Sequence, residues 1–135
     1  MTNREEALRR IAVGDIFSAE GSSGSTRICL TMSVTETIIL ARNIPTQAIY
    51  EFDRRTGVAV RYFSSTPYYY TIDSVAALPA NIHEILLGLD RKYREGEYKR
   101  AEDPEWQRPP SEVALTEDQS RALLFVSHFY PENPI

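Results

Sequence analysis

Cys29 with His83 or His128 is the one thiol and imidazole combination in the chain. Nucleophilic catalysis would need such a pair and a third group to orient the base. Nothing near Cys29 in sequence provides one, and a lone Cys in the middle of a strand ordinarily packs as a small apolar residue. The two histidines lie 45 positions apart with no paired acidic motif, so no metal-ligand spacing is present and no metal is expected. His83 falls near a helix start, where the dipole disfavours imidazolium. Glu51 and Asp53 stand two apart on one strand face, but a hairpin shoulder is an ordinary place for solvated carboxylates. No cofactor motif is legible. Gly21-Ser22-Ser23-Gly24 lacks the Lys of a phosphate-binding loop and is not followed by a helix, so it reads as a turn that can serve as a contact loop.

What remains is contact chemistry. Arg27, Arg54, Arg55 and Arg61, with Tyr68, Tyr69 and Tyr70, combine cationic and π surfaces of the kind single-stranded nucleic acid uses. Alternation sends Tyr68 and Tyr70 to the core and leaves Tyr69 on the other face, free for a ligand. Trp106, the one tryptophan, sits in Pro104-Glu105-Trp106-Gln107-Arg108-Pro109-Pro110, where it either anchors the segment or is offered to another chain as a hot spot. The candidate binding residues are therefore Arg27, Arg54, Arg55, Arg61, Tyr69 and Trp106.

The elements that must position these residues are legible from periodicity. In Thr26 to Val34, Ile28, Leu30, Met32 and Val34 alternate with Arg27, Cys29, Thr31 and Ser33, the signature of a half-buried strand. Asp15–Ala19, Thr37–Ile44, Ala48–Asp53, Val58–Phe63 and Tyr68–Val75 are further strand segments rich in β-branched or aromatic residues. Their starts fall about 10 or 11 residues apart, as in successive hairpins of a small barrel or sandwich. Asp53-Arg54-Arg55-Thr56-Gly57 is the strongest turn, with Asp53 to initiate it and Gly57 to accept positive φ. Pro45 and Pro67 mark breaks or edges. The hairpin spacing and the Val13-Gly14-Asp15 opening resemble the layout of an SH3-like small barrel over residues 13 to 63, in strand length and turn positions.

From Asn81 the period changes. Ile82, Ile85, Leu86, Leu89 and Tyr93 fall on one helical stripe, Asp90 with Arg94 and Glu95 with Lys99 form i,i+4 pairs outside it, and Asn81 with Glu84 has the form of a capping box. The spacing predicts a helix over 81–98 whose apolar face closes one side of the sheet. The prolines of residues 100–115 predict an extended connector. Thr116 and Gln119 form a second capping box, and the stripe Ala122, Phe125, Val126 and Phe129 predicts a C-terminal helix over 116–129. The fold class is α+β: a small antiparallel β-meander, barrel-like, occupying residues 13–75, with two helices packed on it in a single domain.

Ile28, Leu30, Met32, Tyr50, Phe52, Val60, Ile85, Leu86 and Leu89 are expected in one core. The 135 residues supply enough chain for such a core without a metal or disulfide, and the lone cysteine suits a reducing, cytoplasmic compartment. No apolar run approaches the roughly 18 residues of a membrane span, and the mixed charges of residues 1–14 do not read as a secretory leader.

The formal charge is −4, and its excess is C-terminal: residues 101–135 carry seven acidic and two basic side chains, while residues 15–63 balance at five of each. That balance disfavours nucleic acid as partner. The sequence therefore points to a non-enzymatic protein-binding or adaptor domain whose partner is another protein. A small-barrel nucleic-acid-binding protein is the first alternative, and a small hydrolase or transferase with a dispersed site the second.

Overall fold

The computed structural model of the protein describes residues 3–21, 26–62, 70–75, 77–101 and 115–126, with side chains omitted at 61, 62 and 96–101. The elements run α1 (Asn3–Arg10), β1 (Ile16–Gly21), β2 (Thr26–Val34), β3 (Ile38–Asn43), β4 (Ile49–Asp53), β5 (Ala59–Tyr62), β6 (Tyr70–Ser74), α2 (Ala80–Ala101) and α3 (Glu117–Leu124). The six strands form one antiparallel sheet in the order β5-β4-β3-β2-β1-β6. The meander is thus as expected, with β6 added beside β1.

Register shifts at Ser18/Ala19, Thr31/Ser33 and Glu51/Phe52 bend the sheet, since a bulge raises local twist. The sheet curls until its two edges touch. Val58 bridges Thr71, and the Ile72 amide donates to the Gly57 carbonyl at 2.8 Å.

Curling gives the sheet an enclosed inner face, and the expectation of a half-buried β2 is corrected on that account. Cys29 and Thr31, on the supposed solvent side, are buried as deeply as Ile28 and Leu30. The inside holds Phe17, Cys29, Ile39, Tyr50, Phe52, Tyr70 and Ile72, with Phe17 and Phe52 edge to face at 5.5 Å. Ala19, Ala41 and Ala59 complete it, and their small side chains leave room for the rings, as interior positions of a narrow barrel require.

The outer face of the sheet is covered separately. Ile16, Ile28, Leu30 and Ile44 pack against Leu86, Leu89 and Tyr93 of α2 and against Ala122 and Val126. The expected single core is therefore two, separated by the sheet: Tyr50 and Phe52 lie inside, Ile28, Leu30, Leu86 and Leu89 outside. Ile85 is partly buried against the outer cluster. Val60 is corrected outright, for it is 53% exposed on the short edge strand β5.

Helix α1 was not foreseen in residues 1–14. It carries Glu5 and Glu6 in its first turn and Arg9 and Arg10 in its last, which suits the helix dipole. Leu8, with Ile11 just beyond the helix, enters the inner cluster and closes that end of the barrel.

Two arginines clamp α1 in place from opposite directions. Arg4 reaches out of the helix to the seam, donating to the Thr56 carbonyl through Nη2 at 2.9 Å and to the Ile72 carbonyl through Nη1 at 2.9 Å. Arg54 reaches back from the β4–β5 turn to the end of the helix. Its Nη2 donates to Arg9 O at 2.7 Å and Ile11 O at 3.3 Å, and its Nη1 donates to Thr35 O at 2.7 Å.

Helix α2 begins at Ala80 and not at an Asn81 cap, since the His83 amide already bonds to the Pro79 carbonyl at 3.0 Å. It also runs to Ala101, past the expected end at 98 and into the expected connector. The second capping box is present as read: Thr116 accepts from the Gln119 amide at 3.2 Å, and the Gln119 side chain accepts from the Thr116 amide at 3.0 Å. The ends expected at 127–129 lie outside the described residues. Among the described residues no helix is long and apolar enough to cross a membrane.

Candidate binding site

The arginines singled out in the sequence do not gather on one surface. Arg27 stands near the start of β2, whereas the Arg54 guanidinium binds Thr35 O just beyond its end. Nine residues of strand put roughly 26 Å between these positions. Arg54 moreover commits both Nη groups to the backbone carbonyls of Thr35, Arg9 and Ile11. Arg55 is exposed in the turn, whose conformation Asp53 fixes by accepting from the Arg55 and Thr56 amides at 2.7 and 3.1 Å. That use of the Asp53 carboxylate answers the Glu51/Asp53 pairing considered above. Arg61 pairs through its backbone with Glu51 in the β4–β5 ladder, and its side chain is not described. Tyr69, Trp106 and the loop 22–25 lie outside the described residues.

Arg27 belongs to a different constellation. It faces Ala19 across the β1–β2 ladder, so its side chain enters the inner mouth of the barrel over the smallest available neighbour. Its Nη2 donates to the Tyr70 hydroxyl at 2.9 Å, and the guanidinium carbon lies 4.9 Å from the centre of the Tyr70 ring. Tyr50 packs edge-on to Tyr70 at 5.0 Å. Burial opposes the Arg27 charge, but the hydroxyls of Tyr50 and Tyr70 outweigh it and hold its pKa above the usual arginine value. The Tyr50 phenol is pushed up by its own burial, with Arg27 pulling the other way.

Cys29 lies deeper on the same face of β2. Burial drives its thiol far above the ordinary range, and Arg27 offsets only part of this, so the sulfur is protonated at neutral pH. The sheet itself stands between Cys29, in the inner cluster, and α2, which carries His83 against the outer one. A Cys29–His83 pair is therefore not assembled. His128 lies outside the described residues.

A surface cleft opens at the other end of the barrel, beside α1. Its volume is about 250 Å³, and it is lined by Ala7, Arg10, Ile11, Asp15, Ile16, Phe17 and Val75. The floor is apolar, formed by Ile11, Ile16 and Phe17, and Arg10 and Asp15 are exposed at its rim. Asp15 is fixed by accepting from the Ala12 amide at 2.9 Å. No element is expected within residues 1–14 from the sequence, so none of these residues is a candidate there. The available signal was Leu8 and Ile11 three apart, behind an acidic first turn and before a basic last one.

Among the described residues no three His, Cys, Asp or Glu side chains come together as a set able to hold a metal ion. Comparison with family models, with curated proteins and with solved structures finds no match to this chain.

Proposed function

We propose that the protein is a non-enzymatic binding domain that docks a segment of another protein, and that the cleft beside α1 receives one apolar side chain of that partner. The observation that carries the reading is the size and lining of the cleft. At about 250 Å³ it falls below the roughly 300 to 1,000 Å³ typical of small-molecule sites. It suits a single Leu, Met or aromatic anchor, with Arg10 and Asp15 placed to pair with charges flanking that anchor. The cleft sets apolar side chains beside polar surface of comparable extent, a mixture that protein interfaces share. Both faces of the sheet are already covered by packing, which leaves its ends and loops for contacts. A cytoplasmic setting accords with a lone, buried, protonated Cys29.

The test is selection of peptides from a random display library on the intact protein, followed by measurement against Ala7→Trp and Arg10→Glu. Ala7 lines the cleft from a partly exposed helical position, so a Trp there fills it without entering the barrel. Selected peptides should share one bulky apolar residue beside a charge. Their affinity should fall about tenfold or more in Ala7→Trp, the scale of one lost hot spot. Peptides that bind Ala7→Trp as tightly as the wild type would refute the cleft as the docking site.

A further inference from the structure

Arg27 is a cation drawn partly out of water, and among the described residues no carboxylate meets it. Arg42 and Arg94 pair with Asp90 and Arg121 with Glu117, whereas Arg27 joins none of these pairs. Its Nε is buried without a hydrogen-bond partner among the described residues. Its Nη2 meets the Tyr70 hydroxyl, and Tyr50 packs edge-on to Tyr70, each of the two tyrosines 6% exposed. Glu20, the nearest acid along β1, follows Ala19 and points to the other face, where it is exposed. A partly desolvated charge without a counter-charge is costly, and the cost is relieved when an anion reaches it.

We infer that this mouth of the barrel is a binding site for a carboxylate, held by Arg27 together with the hydroxyls of Tyr50 and Tyr70. A phenol that accepts an N–H from Arg27 keeps its own proton to donate to a ligand oxygen. The Tyr70 hydroxyl and the guanidinium are thus adjacent donors, and Tyr50 stands beside them against the Tyr70 ring. Charge selects the class of ligand. One guanidinium balances one negative charge, which matches a carboxylate, whereas a phosphate near its dianionic form would leave excess charge in a half-buried site. The Cys29 thiol behind Arg27 is neutral and adds no charge to this balance. The site lies at the opposite end of the barrel from the cleft beside α1, so it stands or falls independently of that reading.

The test is a titration of the full chain with sodium acetate, followed by nuclear magnetic resonance at the Arg27 Nε–H and the backbone amides of Arg27, Tyr50 and Tyr70. Sodium chloride at equal ionic strength is the control, and inorganic phosphate and the capped tripeptide Gly-Glu-Gly form parallel arms. Saturable shifts at these positions are expected with acetate and not with chloride. Affinity should fall at least about tenfold in Tyr50→Phe/Tyr70→Phe, the equivalent of one charged hydrogen bond or more, and vanish in Arg27→Gln. Tyr70→Phe alone and Arg27→Lys carry the comparison if the double variant does not fold, and both should bind more weakly than the wild type. Tighter binding of the tripeptide than of acetate would assign the carboxylate to a polypeptide, and the reverse to a small acid. Either result supports the site. Equal shifts with chloride, unchanged acetate affinity in the tyrosine variants, or tighter binding of phosphate than of acetate would overturn it.

Discussion

The guanidinium of Arg42 grips both carboxylate oxygens of Asp90, Nε to Oδ1 at 2.9 Å and Nη2 to Oδ2 at 2.7 Å, and thereby joins β3 to α2. Asp90 is 1% exposed, and its remaining capacity is taken by Gln47 Nε2 at 3.0 Å and Arg94 Nε at 3.2 Å. Gln47 reaches it from a left-handed backbone conformation, φ 64°, which costs a non-glycine residue some strain. This forked bond lies within the outer apolar cluster and fixes the rotation of α2 on the sheet.

Breaking that pair from one side strands a buried charge. Asp90→Ala should cost about 3 to 5 kcal/mol in urea unfolding, since it leaves Arg42 uncompensated. Arg94→Ala should cost less than about 1 kcal/mol, because Arg94 is half-exposed and screened by solvent. Similar losses from the two would mean that Asp90 is an ordinary surface acid.

The same pair carries a pH dependence. Burial alone would raise the Asp90 pKa, but the bonds from Arg42 and Gln47, with the charges of Arg42 and Arg94, reverse this and hold it below the usual value. A carboxyl depressed in the folded state contributes stability at pH values above its unfolded pKa of about 3.9, and that contribution is lost as pH falls through the folded value. The stability gap between wild type and Asp90→Asn should therefore be largest near neutrality and close on acidification below about pH 4. A gap that stays constant from neutral to acid pH would exclude this linkage.

Gly57 is tied to α1 by space as well as by conformation. Its φ is 77°, and a Cβ there would stand 2.5 Å from Nη2 of Arg4. Gly57→Ala should cost about 1 to 3 kcal/mol, combining left-handed strain with displacement of the Arg4 clamp. In Arg4→Ala the added methyl has no guanidinium to meet, so the same substitution should cost less in that background. A double-mutant cycle reads the difference, and strict additivity would show that the clamp plays no part.

Strand positions were legible because a period of two survives locally, as in Ile28, Leu30 and Met32, and the Asp53–Gly57 turn because its residues are adjacent. Asp90 was assigned to Arg94, its neighbour at i,i+4, and that bond exists. The stronger partner, Arg42, is 48 residues away and becomes visible only when β3 and α2 are packed. Burial on both faces of β2 was hidden for the same reason: Cys29 and Thr31 are enclosed by the curling of other strands, not by anything in Thr26 to Val34. Helix α1 was overlooked because its eight residues offer one buried apolar side chain, Leu8. Of the candidate residues, Arg27 is legible as a cation in a chain rich in tyrosine, but its bond to Tyr70, 43 residues away, forms only when the strands are packed.

The separation into two cores predicts unequal responses to truncation. Leu86 is fully buried between α2 and the sheet, so Leu86→Ala should cost about 2 to 5 kcal/mol through lost transfer energy and the cavity left behind. Val60→Ala, on an exposed edge, should stay within about 0.5 kcal/mol. Comparable losses at the two positions would contradict the assignment of Val60 to the surface.

The placement of the arginines decides how a nucleic-acid alternative must be tested. Loss of binding in Arg54→Ala would be ambiguous, because Arg54 holds the end of α1 and the β2–β3 turn through backbone carbonyls. Its truncation should cost about 1.5 to 3 kcal/mol, the scale of a hydrogen bond from a charged donor, whereas Arg55→Ala, exposed in the same turn, should be near neutral. Arg55→Ala is therefore the informative variant. Labelled single-stranded DNA and RNA, titrated at several salt concentrations, should bind weakly at physiological salt. The chain carries a net charge of −4, and its two best-placed arginines face opposite ends of the barrel, so no continuous track for phosphates is formed by them. Submicromolar binding that weakens steeply with salt and also with Arg55→Ala would displace the protein-docking reading, since only phosphate contacts combine those two dependences.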